Sequence, residues 1–171
     1  MEVTQIQSSV YQSQICQSLK NHYESGLLCD VTLTTGDGQG TECHKVLLSA
    51  ASSYFKQILC DSNTQTNHID VSPMNIDDVR EIVSFMYSGV CLLDCTNVIT
   101  ILGASMRWFL PLLTEECLRY IKKHINHDNV CQWYECSSEL ANEQLSEIWS
   151  HYIREHFTEL HHSKKALIPD K

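Results

Sequence analysis

Cys43 and His44 stand side by side, and a thiol next to an imidazole is the first pair in the chain whose residue types could carry a reaction. A nucleophile and its base must converge within hydrogen-bond reach. Neighbours at a strand-to-helix junction point apart, so these two read as a structural pair. His124, His127, Cys131 and Cys136 make the best metal-ligand constellation. Their spacing fits no thiol knuckle, and they read as core cysteines beside solvated histidines. Gly36, Gly38 and Gly40 have the density of a phosphate-cradling loop, but such a loop enters a helix N-terminus, whereas these lie between two strand-like runs. Asp77 and Asp78 are adjacent carboxylates at a helix start, where negative charge complements the helix dipole. Paired catalytic carboxylates need a cleft of which the sequence gives no sign. The expectation is a protein that is not an enzyme, with no catalytic residue, no cofactor and no bound metal.

The composition narrows the alternatives. A chain of 171 residues, with 43% hydrophobic and 19% charged residues, fits one domain with a core of ordinary size, or one domain with a small appendage. The net charge is −9, and the cations are scattered except at Lys122-Lys123 and Lys164-Lys165. Binding a phosphate backbone needs clustered cations, so no nucleic-acid partner is expected. No apolar run approaches the roughly 18 residues of a membrane span, so no membrane partner is expected either. The start, MEVTQIQSSVYQSQ, lacks both the basic end and the apolar core of a signal peptide. Nine cysteines at irregular spacing, among them Cys29, Cys43, Cys60, Cys91 and Cys117 in apolar stretches, read as small buried hydrophobes in a reducing, intracellular compartment.

These residues sit on elements that the hydrophobic pattern outlines. Residues 11 to 25 carry Ile15, Leu19 and Tyr23 four apart, one apolar stripe on a polar helix that Gly26 ends. Val31 and Leu33 alternate with Thr32 and Thr34, Gly36-Asp37-Gly38 turns, and a second strand returns through Thr41 to Cys43. Helical spacing begins at Val46, and a short strand spans His68 to Val71. Asn75 is placed to cap a helix over IDDVREIVSFMYS, with Gly89 as its break. Thr96 stands at the cap position of the next helix, Pro111 opens another, and two more run from Asn129 to Glu139 and from Asn142 to Leu160. The tail, residues 161–171, has no period and reads as loose. The fold class is α+β: a small three-stranded sheet with a helical cluster and a helical extension.

The segments C-D-V-T-L (29–33), H-K-V-L-L-S-A-A-S-S-Y-F (44–55) and F-M-Y-S-G (85–89), in this order, closely resemble the BTB/POZ domain family over roughly residues 10 to 125. N-V-C-Q-W-Y-E-C and Y-I-R-E-H-F-T-E-L, within residues 126–160, look like the start of the BACK region that follows BTB in Kelch-like proteins. The resemblance implies a homodimer, with Ile15 and Leu19 of the first helix and the region of Asp30 and Lys45 at the seam. There the Asp and the basic residue line a charged pocket, where buried opposite charges tolerate desolvation as a hydrogen-bonded pair; the alternative is that Asp30 merely caps a strand end.

The resemblance also implies a substrate adaptor for a cullin-3 RING ubiquitin ligase, in the cytoplasm and also the nucleus. The substrate protein would be bound by a part absent from this chain, which reads as an N-terminal piece of a larger protein. Tyr87 matches the cullin-facing Tyr, and Trp133 and Tyr134 are available for apolar contact. The family's hydrophobic-x-Glu anchor falls on Asn63, Thr64 and Gln65. An amide replaces the apolar side chain and a neutral group replaces the carboxylate, each a change of about 1–3 kcal/mol at an interface anchor. The alternative is a BTB-BACK dimeric scaffold, cytoskeletal or serving another assembly, that does not bind cullin-3. A BTB transcriptional repressor is disfavoured by the BACK-like segment.

Overall fold

A computed structural model describes residues 7–60 and 66–157. The chain forms two compact units, Met1–Leu92 with Arg107–Leu110, and Leu93–Met106 with Pro111–Lys171.

The first unit is built on a three-stranded sheet, as expected for an α+β chain. β1 (Val31–Thr34) pairs antiparallel with β2 (Gly40–Cys43), with Val31 opposite Cys43 and Thr34 opposite Gly40. β3 (His68–Asp70) joins β1 on its other side in parallel, so the order is β2-β1-β3. The period of two puts Val31, Leu33 and Cys43 on the buried face. The hairpin turns where expected. Gly38 adopts φ 83° and its N–H donates to the Thr35 carbonyl, while Asp37 Oδ1 accepts from the Thr35 hydroxyl and, at 3.1 Å, from the Gln39 N–H. These donors hold the Asp37 carboxyl below its ordinary range.

Four helices complete this unit: α1 (Ser9–Glu24), α2 (Lys45–Ala51), α3 (Ser53–Leu59) and α4 (Ile76–Ser88). α4 obeys its sequence signals. Asn75 Oδ1 accepts from the Asp78 N–H at 2.8 Å, Gly89 closes the helix at φ 70°, and Ile76, Val79, Ile82 and Val83 face the core. The buried Ser52 hydroxyl donates to the Trp108 carbonyl at 2.5 Å and accepts from the Phe55 N–H at 3.2 Å. The Trp108 ring meets Phe55 edge-on at 5.1 Å. These contacts fasten Arg107–Leu110 to this unit.

The second unit holds α5 (Val98–Arg107, whose last residue belongs to the first unit), α6 (Pro111–His124), α7 (Val130–Cys136) and α8 (Glu143–Glu155). Asp94, rather than the expected Thr96, collects the donors at the start of α5: its Oδ1 takes the N–H groups of Thr96 (2.7 Å) and Asn97 (3.0 Å) and the Thr96 hydroxyl. Asn142 caps α8 through the Leu145 N–H at 2.9 Å. α7 is shorter than the sequence pattern implied, and α8 ends at Glu155. The expected end at Leu160 and the tail lie outside the described residues.

Candidate functional site

Asp30 and Lys45 come together at the start of α2, but not as a pair of charges. His44, the residue before the helix, makes no side-chain cap. Asp30 supplies one from fifteen residues upstream, its Oδ1 accepting from the Lys45 backbone N–H at 2.7 Å. The Lys45 ammonium turns away and donates to Asn67 Oδ1 at 2.6 Å. Asp30 is exposed. Within one chain, then, Asp30 is an acid capping a helix N-terminus rather than the ion partner of Lys45; the open backbone N–H offers a fixed donor and the dipole favours an anion.

Cys43 and His44 diverge as their adjacency implies. The Cys43 thiol reaches the Thr41 carbonyl at 3.8 Å, and burial pushes its pKa up. The His44 ring joins a buried cluster that sequence reasoning missed. Its Nε2 lies 2.9 Å from the Leu27 carbonyl, an acceptor only, so Nε2 carries the proton. Nδ1 then accepts from the Tyr87 hydroxyl at 2.5 Å, and that hydroxyl accepts from the His44 backbone N–H at 3.0 Å. Tyr23 stacks on Tyr87 with ring centroids 4.7 Å apart and reaches the Thr41 hydroxyl at 3.0 Å. Burial raises the pKa of both tyrosines. Cys29 Sγ lies 3.9 Å from His44 Nε2. Partial burial, then the Glu42 and Asp30 carboxylates, raise its pKa, and Nε2 is committed to Leu27, so the contact does not activate a nucleophile.

Two of the residues expected to face a partner are core residues. Tyr87 is 3% exposed. Trp133 is 2% exposed, its indole N–H donating to the Cys95 carbonyl at 2.8 Å. A large aromatic whose polar atom has a partner inside is more stable buried than displayed. Tyr134, 50% exposed, does present its ring. Asn63 and Gln65 lie outside the described residues. Among the histidines and cysteines considered for metal, His124 stacks on Tyr120, His127 Nδ1 meets the Tyr152 hydroxyl at 3.1 Å, and Cys131 and Cys136 are exposed on α7. Among the described residues no group of three or more His, Cys, Asp or Glu side chains is arranged to hold a metal ion. Cys60, expected inside, is exposed at the end of α3, while Cys43 and Cys117 are buried.

The first unit also exposes several large apolar side chains. α1 spans 16 residues with none buried, and Val10, Tyr11 and Ile15 are exposed on it. Leu19 is half-buried. Just beyond, Leu28 takes a left-handed φ of 62°, uncommon for a side chain of its size, and is 75% exposed. Leu27 and Val46 are exposed as well, and the His44–Leu27 bond joins their two segments.

Residues 19–125 match the BTB/POZ domain family, and the chain belongs to it. It is similar to Kelch-like protein 8 of Mus musculus, 31% identical over 146 residues, covering 84% of this chain and 23% of that protein. It is also similar to Kelch repeat and BTB domain-containing protein 2 of cowpox virus (strain GRI-90 / Grishak), 29% identical over 132 residues, covering 75% of this chain and 23% of that protein. The chain thus spans about a quarter of the length of these curated relatives. Among solved structures, the BTB domain of zebrafish PATZ1 shares the fold, with a TM-score of 0.64 at 20% identity over 71% of this chain and 99% of that one. In the described residues no helix is long and apolar enough to cross a membrane.

Proposed function

We propose that this chain is the homodimerising interaction domain of a cullin-3 substrate adaptor, with residues 126–160 as the start of a BACK region and the substrate bound by a part outside the chain. The carrying observation is α1, a helix with no buried residue and three large apolar side chains exposed. An apolar stripe of this kind is left to water at a cost, and an isologous contact removes it from both copies at once. The exposed Leu27, Leu28 and Val46 near Asp30 and Lys45 extend the surface such a contact would cover. The Kelch-like relatives support the adaptor reading, and a cytoplasmic and nuclear location goes with it.

Burial of Tyr87 and Trp133 favours one competing reading, the dimeric scaffold that does not engage cullin-3. Of the described residues expected on the cullin face, Tyr134 keeps its ring exposed. Light scattering with and without the cullin-3 N-terminal region separates the two. The adaptor gives a dimer whose mass rises on adding cullin, and Ile15→Asp shifts the free protein toward monomer. A monomer at all concentrations contradicts both readings.

A further inference from the structure

Within the second unit, α6 and α8 enclose a groove of about 700 Å³. Leu118, Ile125, Ile148 and Tyr152 give it an apolar floor. On α8, Gln144, Ile148, Tyr152 and Glu155 follow one another at helical spacing, so the groove runs along the helix. Its two walls differ in charge: Arg119 and Lys122 line the α6 side, and Glu147 and Glu155 line the α8 side. Arg119 pairs with Glu116, and Glu155 with His151 at 3.3 Å. Both are exposed pairs within one helix, of a kind that contributes little and gives way readily to a better partner.

We infer that this groove is covered by the same groove of a second copy. Opposite charges on the two walls make the surface self-complementary in one orientation. A two-fold axis along the groove sets the α6 wall of one copy against the α8 wall of the other, so Arg119 and Lys122 face the partner copy's acidic wall twice over. An axis across the groove sets like walls together and is disfavoured by repulsion. In the favoured arrangement Ile148 and Tyr152 meet their counterparts along the centre. About ten residues a side is fewer than the roughly 20–30 of a standard interface, so the contact is weak and depends on concentration. Its charged rims are exposed, so salt weakens it. It uses no residue of α1, and copies already joined through α1 would be linked by it into larger assemblies.

Sedimentation velocity of the whole chain tests this, across a concentration series at low and high salt. The proteins are wild type, Arg119→Glu/Lys122→Glu, Glu147→Lys/Glu155→Lys, and an equimolar mixture of the two variants. All four positions are exposed, and circular dichroism checks that each variant keeps the wild-type fold. Wild type should gain mass with concentration, less so at high salt. Each variant alone has two like-charged walls and should need about tenfold more protein, or greater, for the same gain. The mixture joins an all-acidic groove to an all-basic one and should recover it. Variants that assemble like wild type, or a mixture that stays at the mass of its components, overturn the inference and assign the groove to another segment or another protein.

Discussion

Asp30 Oδ1 accepts the backbone N–H of Lys45 at 2.7 Å, so the acid that opens β1 caps the helix that follows β2. The same residue's backbone N–H donates to the Cys43 carbonyl at 2.9 Å. Both links cross the hairpin and fix where α2 departs from the sheet. The Lys45 ammonium, held by Asn67, is left beside this cap rather than on it.

Asp30→Ala should therefore destabilise the folded chain by about 1 kcal/mol, the usual cost of losing a helix N-cap acceptor. Asp30→Asn should recover most of that, because the amide oxygen accepts the same bond. Lys45→Met should change stability by less than about 1 kcal/mol, since an exposed hydrogen bond is all it removes. Urea unfolding of the three variants checks this order. If Lys45→Met costs as much as Asp30→Ala, the two side chains act as an ion pair after all.

Tyr87→Phe should cost about 1–3 kcal/mol with no change in volume to blame. The lost hydroxyl leaves the His44 N–H without its acceptor and Nδ1 without its donor, both in a buried site. Thermal unfolding, with the Tyr23→Phe variant as comparison, reads the difference. Tyr23 bonds one side-chain hydroxyl in a partly buried position and should cost less.

The cysteines should label in two classes. Cys60, Cys95, Cys131 and Cys136 are exposed and should react with iodoacetamide in the native protein. Cys43 and Cys117 are buried and should react only after unfolding. Cys91 belongs with the slow class: burial, then the Glu81 and Asp78 carboxylates, push its pKa up to about 12, which starves it of thiolate. Mass spectrometry of native and urea-treated protein counts the two classes, and fast native labelling of Cys43 would contradict the hairpin packing described above.

Stability should fall on acidification, starting near pH 4. Hydrogen bonds from Thr96, chiefly, hold the folded Asp94 carboxyl below its ordinary range, as those from Ser72 do for Asp70. A lowered folded pKa means the unfolded chain binds more protons between the two values, so the contribution is complete above the unfolded pKa of about 3.9 and is lost as pH drops through the folded one. Asp94→Asn should flatten part of this slope and leave the pH dependence above the carboxylate range as it is in the wild type. An unchanged slope in the variant would separate Asp94 from the effect.

Much of this architecture is legible in the sequence because the signals are local. Asn75 and Gly89 bracket α4 within a single helix length, and Gly36-Asp37-Gly38 sits between two alternating runs. The site resisted for the opposite reason. Asp30 and Lys45 are fifteen residues apart and His44 and Tyr87 forty-three, and no periodicity reports which donor a carboxylate or hydroxyl will find across such distances. Trp133 and Tyr134 are adjacent on a helix of seven residues, too short for its pattern to say which ring turns inward. The Cys95 carbonyl that takes the Trp133 indole N–H decides it.

The central claim, an adaptor domain that docks on cullin-3, is tested most directly by titrating the whole chain with the cullin-3 N-terminal region and measuring dissociation rates. The account expects saturable binding with one cullin per protomer, weaker than nanomolar. Asn63→Met with Gln65→Glu should tighten it, chiefly by slowing dissociation, because anchors at the centre of an interface act on the off-rate. No binding by either protein would contradict the account and leave the dimeric scaffold in its place.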